Sequence, residues 1–230
     1  MENKVMVVTG ASSGIGYCTA LKAQEQGWRV IWASRHIESD KQICAMCNEN
    51  SECKNLDVSS EDSVRDFFRY VKSRYGKLDA LVNCAGFVDP QSLLATSLEN
   101  WEKTIKINLT GTFLCCKNAV QSMKKRGGKI INISSTAGLT PRPGWSAYAA
   151  SKSGVISFSE AIAEELAMYN IKVFMICPGR TATPLRKILA PDEDPTTIMQ
   201  PHTVAKTVLF CLSQEADPME GQPILVRERF

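Results

Sequence analysis

The sequence predicts an α/β fold: one Rossmann-type domain with a doubly wound parallel sheet of about seven strands and helices on both faces. Strand-like apolar runs alternate with helix-like segments along the chain. The first apolar run passes straight into a glycine-spaced turn and a helix, as in a dinucleotide-binding unit. The chain has 230 residues, 44% of them hydrophobic, which is enough for the three-layer core of one domain.

Seven apolar runs predict the strands of this sheet, at residues 4–9, 29–34, 53–57, 78–83, 128–134, 171–177 and 223–227. The segments between them predict the long helices, at residues 14–26, 60–75, 98–118, 147–169 and 202–213. Because helices separate the strands, the crossovers should be right-handed and the strands parallel. No repeat, low-complexity tract or linker interrupts the pattern, so residues 1–230 should form a single dinucleotide-binding and catalytic domain.

The turn after the first strand carries three glycines in the spacing GxxxGxG. Gly10 permits a tight exit from the strand, Gly14 lets the backbone approach a pyrophosphate, and Gly16 allows the helix to pack closely on the strand. The N-terminus of that helix would face the anion. The alternative is a turn whose glycines meet only local backbone needs.

Tyr148 and Lys152 stand four residues apart in the predicted helix 147–169. At this spacing two side chains share one helix face, with Cβ atoms roughly 5–6 Å apart. The lysine ammonium should lower the pKa of the phenol and make its hydroxyl a proton donor or acceptor near neutral pH. Alone, such a pair occurs by chance on many helices, so its meaning depends on its companions.

Ser134 and Ser135 follow directly on a buried apolar run. In open α/β sheets the carboxyl ends of strands border the ligand crevice, so one of these hydroxyls would reach a substrate oxygen. The alternative is that both serines only cap the strand and start a turn.

Taken together, these motifs resemble the short-chain dehydrogenase/reductase family in its compact single-domain form. The resemblance covers nearly the whole chain and is carried by six motifs in order. They are TGASSGIG at Thr9 to Gly16, Asn83-Cys84-Ala85-Gly86, Asn108, Ser135 thirteen residues before Tyr148, the Tyr148 and Lys152 pair, and Pro178-Gly179 with Thr183. The resemblance implies an enzyme that transfers a hydride between a nicotinamide cofactor and a carbonyl or secondary alcohol.

The resemblance also implies roles for individual residues. Tyr148 would be the general acid or base, Ser135 would hold the carbonyl oxygen, and Lys152 would bind the nicotinamide ribose. Asn108, near Gly111, is unfavourable inside a helix, which predicts a distorted turn holding a proton-relay water; the alternative is an ordinary exposed asparagine. The residues implied to bind the cofactor are Gly10, Ser12, Ser13, Gly14, Ile15, Gly16, Ser34, Arg35, Asp57, Val58, Asn83, Ala85, Gly86, Tyr148, Lys152, Pro178, Gly179, Thr181 and Thr183.

The end of the second strand indicates which cofactor is used. Relatives specific for NAD usually carry a carboxylate there, whereas this chain has Ser34 followed by Arg35. A guanidinium suits a 2′-phosphate, so NADP(H) is expected in preference to NAD(H). The alternative is an arginine that only stacks on the adenine or faces solvent. Asp57 and Val58 match the family's adenine-contacting positions.

The stretch from Thr183 to Pro201 mixes prolines with apolar residues and is too long for a simple connection. It is expected to be a substrate lid, at about 183–201, and its shortness suggests an open pocket. An apolar substrate pocket would be lined by Phe87, Leu139, Trp145, Leu185 and Ile188. Four basic residues would instead suit an acidic carrier, namely Arg142, Arg180, Arg186 and Lys187.

Composition limits the other possibilities. The net charge of +3 is too small to indicate nucleic acid or an anionic membrane as a partner. No apolar run is long enough to span a bilayer and no signal-peptide pattern precedes the first strand, so a cytoplasmic protein is expected. The nine cysteines should therefore be reduced. Cys44, Cys47 and Cys53 lack a fourth ligand at a familiar spacing, so no metal site is expected.

The leading hypothesis is an NADP(H)-dependent carbonyl reductase or alcohol dehydrogenase acting on a small molecule. A 3-oxoacyl-thioester reductase is the alternative within the same chemistry, and a non-catalytic dinucleotide sensor or scaffold is the alternative outside it. The segment 147–169 carries more apolar residues than one core-facing stripe needs, which favours a homodimer or homotetramer. Three departures from the family pattern are Cys84 in place of a second asparagine, the short lid, and a tail without the usual glycines, which leaves the tetramer contacts open.

Overall fold

The computed structural model describes residues 4–228, and its centre is a parallel seven-stranded sheet in the order β3-β2-β1-β4-β5-β6-β7. The strands are β1 Val5–Thr9, β2 Arg29–Ser34, β3 Ser51–Asn55, β4 Ala80–Asn83, β5 Gly128–Ile133, β6 Ile171–Pro178 and β7 Pro223–Val226. The strand order changes direction between β1 and β4, and ligand crevices of such sheets open at this point. The predicted fold class is confirmed.

Helices cover both faces of the sheet. They are α1 Gly14–Glu25, α2 Lys41–Cys44, α3 Glu61–Tyr75, α4 Leu98–Ile105, α5 Gly111–Met123, α6 Ser146–Leu166, α7 Pro184–Leu189 and α8 Pro201–Cys211. Short α2 was not predicted, and α7 lies in the segment predicted as a lid. The helix predicted over 98–118 is two helices, because a π-helical turn at Lys106–Thr110 separates α4 from α5.

Strand alternation divides the core into two layers. Val5 and Val7 of β1 point toward the face covered by α3, α5 and α6. Met6 and Val8 point to the opposite face, which α1 and α8 cover. All five residues of β1 are buried, as expected of a parallel strand that is covered on both sides.

Helix α3 illustrates how the local sequence sets an element. The Ser60 hydroxyl accepts a hydrogen bond from the Ser63 amide at its start, and Gly76 ends it in the left-handed region at φ +69°. Val64, Phe67, Phe68 and Val71 are buried at helical spacing.

The third strand is shifted from its prediction at 53–57 to Ser51–Asn55. The Leu56 amide still donates to the Ser34 carbonyl of β2, but Asp57 belongs to the turn that precedes α3, where its carboxylate accepts hydrogen bonds from Ser59. The sequence pattern therefore placed the C-terminal end of this edge strand two residues too late.

A buried chain of hydrogen bonds ties α6 to the middle of the sheet. The Asn83 side-chain amide of β4 donates to Asn132 Oδ1 of β5 over 2.8 Å, and Asn132 Nδ2 donates to Ser159 Oγ of α6 over 2.9 Å. Ser159 Oγ donates to the carbonyl of Val155 over 2.6 Å. Because buried polar groups are costly unless paired, this network permits very few alternative positions for α6.

Within residues 4–228, no helix combines the length and the apolar character that a membrane crossing needs.

Candidate active site

A cavity of about 360 Å³ opens at the carboxyl ends of the central strands. It runs from the glycine-spaced turn after β1 to helix α7. All residues expected to bind cofactor line it except Asn83, which is buried beneath it in the hydrogen-bond network with Asn132. Ser135, Tyr148 and Lys152 also line it, whereas Asn108 does not.

The glycine-spaced turn leaves no room for side chains at the positions of Gly10 and Gly16. Gly10 and Gly14 adopt left-handed φ values of +65° and +55°. A Cβ on Gly10 would lie 2.8 Å from the Ala85 nitrogen, and one on Gly16 would lie 2.3 Å from the Gly10 oxygen. Ser13 precedes α1 and makes no side-chain cap, so the first amides of α1 remain available to an anion. This arrangement fits a dinucleotide pyrophosphate.

The far end of the cavity is built from the ends of β2 and β3. Ser34 Oγ lies 3.1 Å from Ser12 Oγ, and the neighbouring Arg35 is exposed at the cavity edge. Burial raises the pKa of Asp57, but hydrogen bonds from Ser59 and the charge of Arg35 outweigh it and hold the pKa below its usual value. Asp57 is therefore an ionised acceptor at neutral pH.

Tyr148 and Lys152 are brought together on α6 as their spacing predicts, and both are nearly fully buried. Lys152 Nζ donates to the Ile133 carbonyl over 2.9 Å and lies 5.8 Å from the centroid of the Tyr148 ring. Burial lowers the pKa of Lys152 to about 8, opposed by the neighbouring Cys84 and Cys177 thiols.

The expectation that Lys152 lowers the pKa of Tyr148 is wrong for this structure. Burial raises the pKa of the Tyr148 phenol to about 12, and the opposing effects come from a hydrogen bond with Ser135 and from the charge of Arg186. The reason is that the buried phenolate loses more hydration than these neighbours restore, while the ammonium of Lys152 is directed at the Ile133 carbonyl. Tyr148 is therefore a protonated donor at neutral pH.

Ser135 is oriented for a contact with the same atom. Its Oγ accepts a hydrogen bond from the Ala137 amide over 3.1 Å, which leaves the hydroxyl proton to donate. Its neighbour Ser134 is buried and donates to the Lys152 carbonyl over 2.8 Å. Both serines line the cavity, but the hydroxyl of Ser134 is used to anchor α6, whereas that of Ser135 can donate beside Tyr148.

Asn108 lies in the π-helical turn, which accounts for the distortion predicted there. Its Oδ1 accepts from the Phe87 amide over 2.7 Å, and its Nδ2 donates to the Phe87 carbonyl and to Ser151 Oγ, both over 2.9 Å. Ser151 Oγ in turn donates to the Tyr148 carbonyl over 2.7 Å. Asn108 therefore links the loop after β4 to the helix that carries Tyr148.

The substrate end of the cavity differs in part from expectation. Phe87, Trp145 and Leu185 line it, whereas Leu139 and Ile188 do not and are 41% and 54% exposed. On the short helix α7, Leu185 and Leu189 share the face that turns inward, and Ile188 points to solvent. Leu189 was missed, although its i, i+4 spacing from Leu185 gave the signal.

Sequence reasoning also missed the environment of the cysteines. Cys84 lines the cavity, and burial raises its pKa to about 12, opposed by Lys152. Cys47 and Cys53 lie with their sulfurs 3.7 Å apart. Among the residues that the structure describes, no three His, Cys, Asp or Glu side chains are arranged to hold a metal ion.

A family model identifies the family of this chain. Residues 4–194 match the family model described as short chain dehydrogenase. Over 189 residues, 80% of this chain and 68% of the other, the chain is 39% identical to a 3beta-hydroxysteroid dehydrogenase of Mediterraneibacter gnavus. It is 34% identical to the 3-oxoacyl-(acyl-carrier-protein) reductase FabG of Thermotoga maritima over 236 residues, covering 97% of this chain and 96% of that protein. The solved structure of ElxO with NADP bound superimposes with a TM-score of 0.89 at 28% identity, covering 98% of this chain and 97% of that one.

The buried charge of Lys152 leads to a stability prediction. Replacing it by methionine, which is apolar and similar in length, should raise the free energy of unfolding at pH 7 by about 1–3 kcal/mol, since the desolvation cost disappears. The pKa of Lys152 falls from 10.5 to about 8 on folding, so between these values the unfolded chain binds more protons and wild-type stability rises with pH. The advantage of Lys152→Met should therefore shrink from pH 7 to pH 9.5.

Urea unfolding of both proteins at the two pH values measures this difference. Because the other titrating groups are common to both chains, their contributions largely cancel in it. An advantage that is the same at both pH values, or a variant less stable at pH 7, would show that burial of the ammonium is not costly here.

Proposed function

Because the chain belongs to the short-chain dehydrogenase family, we propose that it is an NADP(H)-dependent oxidoreductase that interconverts a carbonyl group and a secondary alcohol. The observation that carries this proposal is the meeting of Ser135, Tyr148 and Lys152 in one cavity with the glycine-spaced turn. The turn supplies a dinucleotide site, and the three side chains supply proton chemistry beside it.

The residues around the cavity fit the cofactor. The amides at the start of α1 would bind the pyrophosphate, Asp57 would accept from the adenine amino group, and Lys152 would donate to the ribose of the nicotinamide. NADPH, when bound, supplies the hydride in the reductive direction. Pro178, Gly179, Thr181 and Thr183 line the cavity after β6, and we assign them to the nicotinamide end.

The proton chemistry belongs to the chain itself. The Ser135 hydroxyl donates a hydrogen bond to the substrate carbonyl oxygen and positions it against Tyr148. As the carbonyl carbon gains the hydride, the C=O π bond breaks and its oxygen takes the phenolic proton of Tyr148, which gives the alcohol and a phenolate. The phenolate is short-lived, because a phenol whose pKa is about 12 takes up a solvent proton at neutral pH to replace the one transferred.

A relay to solvent through the π-helical turn is the role we assign to Asn108. Its side chain is held by Phe87 and Ser151, and Ser151 bonds to the carbonyl of Tyr148, so Asn108 links the turn to the helix that carries the proton donor. The buried site otherwise isolates the phenolate from water, and reprotonation needs a path.

The preference for NADP(H) rests on the end of β2. Ser34 brings no carboxylate to the position that would meet the adenine ribose, and Arg35 is exposed beside it at the cavity edge. The superposition on ElxO, which was solved with NADP bound, supports the same cofactor.

We propose a ketone as the substrate, held against the apolar wall of Phe87, Trp145, Leu185 and Leu189. The identity to a 3beta-hydroxysteroid dehydrogenase supports a secondary alcohol or ketone. A 3-oxoacyl thioester is the second candidate, supported by the match to FabG along nearly both chains and by the arginines at the cavity mouth. The segment 183–201, which contains α7, acts as the lid over either substrate, and residues 1–230 act as one catalytic domain.

The role of Tyr148 is tested by Tyr148→Phe. Removing the proton donor while keeping the ring should lower kcat by at least about 100-fold, because general acid catalysis contributes that much or more. The measurement is NADPH oxidation with a panel of ketones, accompanied by a titration of NADPH binding. The dissociation constant of NADPH should change little; turnover close to that of the wild type would exclude Tyr148 as the acid and leave a sensor or scaffold function open.

Cofactor specificity is tested at Ser34 and Arg35. Arg35→Ala should weaken NADPH binding by roughly 10- to 100-fold and leave NADH binding nearly unchanged, because one charge-assisted contact to the 2′-phosphate is lost. Ser34→Asp should weaken NADPH further by repulsion and offer NADH a new acceptor, so the double variant should prefer NADH. Equal weakening of both cofactors by Arg35→Ala, measured by direct titration, would contradict the assignment.

A homodimer through the faces of α5 and α6 is also proposed. Phe113 of α5 is 41% exposed, and its ring packs edge-on against Phe158 of α6 with centroids 6.1 Å apart. Light scattering at micromolar concentration should give twice the chain mass of 25.4 kDa. Phe113→Glu should raise the dimer dissociation constant at least tenfold, since a charge would enter an apolar interface. The control Leu225→Glu, on the edge strand β7, should leave the dimer intact; a monomeric wild type would refute the proposal.

A further inference from the structure

The cavity is strongly cationic at its substrate end. Among the described residues that line it, the charged ones are Arg35, Asp57, Arg142, Lys152, Arg180 and Arg186. Arg35 and Asp57 belong to the adenine end, where the charge of Arg35 lowers the pKa of Asp57. Three arginines therefore remain in the rest of the described cavity wall, which holds no further carboxylate. A site for neutral ketones has no need of them.

Arg186 is the best placed of the three. Its guanidinium carbon lies 5.8 Å from the centroid of the Trp145 ring, and its side chain is only 16% exposed. Its charge also reaches the phenol of Tyr148, whose pKa it lowers. Arg186 is thus held between the apolar wall and the proton donor, close to where a substrate would react.

The guanidinium of Arg186 already holds a carboxylate. Arg186 Nε donates to Glu193 Oε2 over 2.6 Å, and its Nη2 donates to Glu193 Oε1 over 2.8 Å. This is the two-pronged geometry in which arginine binds a carboxylate. Arg180 adds a third contact to Glu193 Oε1 over 3.2 Å, and hydrogen bonding from Arg186 holds the pKa of Glu193 below its usual value.

Glu193 comes from the proposed lid and does not line the cavity. A buried guanidinium without an anion would be costly, so Glu193 keeps this charge compensated. An incoming carboxylate would replace one carboxylate by another on the same donors. Such an exchange leaves the guanidinium paired throughout, because the charge balance at Arg186 does not change, while Glu193 competes with the incoming carboxylate for the same donors.

We propose that Arg186 recognises a carboxylate on the carbonyl substrate, and that Glu193 occupies its guanidinium until that carboxylate takes its place. The substrate class is then an oxo acid with an apolar or aromatic skeleton, which Trp145, Leu185 and Leu189 would contact. This inference rests on the proposed reductase function and determines its substrate specificity.

The test uses three aryl oxo acids with zero, one or two methylene groups between carbonyl and carboxylate, each paired with its methyl ester. With NADPH and the wild-type enzyme, kcat/KM for at least one acid should exceed that for its ester by about 10- to 100-fold, the contribution of a charge-assisted contact. Arg186→Gln should abolish this preference while lowering kcat/KM for the ester much less. Lys187→Gln is the matched control: Lys187 carries the same charge on α7, is exposed and lies outside the cavity, so the preference should persist.

Glu193→Gln separates recognition from a purely structural role. If Glu193 competes with the substrate, removing its charge should raise kcat/KM for the acid several-fold and should not raise kcat/KM for the ester to the same extent. If the ion pair only stabilises the lid, the variant should lower kcat/KM for both the acid and the ester, and this result would overturn the proposal. Equal kcat/KM for every acid and its ester would overturn it too.

One further arm distinguishes the source of the anion. The value of kcat/KM is compared for a 3-oxoacyl thioester of pantetheine and for that of phosphopantetheine. If only the phosphorylated thioester is preferred, and Arg186→Gln loses that preference, the anion bound by Arg186 is a phosphate. That outcome would refute the proposal of an oxo acid substrate. Absence of NADPH oxidation with all acids, esters and thioesters would instead contradict the proposed reductase function itself.

Discussion

The docking of helix α6 on the sheet, where it packs on β6 and bonds to Asn132 of β5, is the constraint on which the rest of the site depends. Tyr148 and Lys152 both lie on this helix, so any slide along its axis would move the proton donor and the cation together. Ser159 and Ser151 are hydrogen-bonded to Asn132 and Asn108, which belong to other elements. A displaced helix would leave these buried groups unpaired, and the cost of that makes the position of α6 nearly unique.

Burial has opposite effects on the two groups that α6 carries. It keeps the Tyr148 phenol protonated, with a pKa of about 12, and it brings the pKa of Lys152 down to about 8. Both shifts arise because a charged form loses hydration inside the protein. The protonated phenol suits the reductive direction, in which a proton leaves Tyr148. The ammonium is costly for the fold, and it is retained in the wall of the cavity where we place the cofactor, a common relation between function and stability.

Charge compensation also governs the proposed lid at the other end of the cavity. Arg186 and Arg180 share the carboxylate of Glu193, so two cations near the substrate are compensated by one anion. Removing a partner from a partly buried ion pair is expensive, whereas exchanging one anion for another keeps the guanidinium paired. Helix α7 thus brings apolar contacts and an arginine to the cavity from a stretch of only six residues. The specificity of the enzyme would then depend on which anion Arg186 holds.

The sequence by itself determined the fold class, the seven strands, the glycine-spaced turn and the pairing of Tyr148 with Lys152, because all of these depend on local spacing and on apolar periodicity. It also pointed to a distorted helix at Asn108. Only the tertiary structure decided the pKa of Tyr148, since burial depends on every element packed around the phenol. It likewise decided that Ile188 faces solvent and that Arg186 meets Glu193. Those outcomes depend on the orientation of a short helix in a proline-rich segment. That orientation is set by contacts with the rest of the fold and not by local spacing.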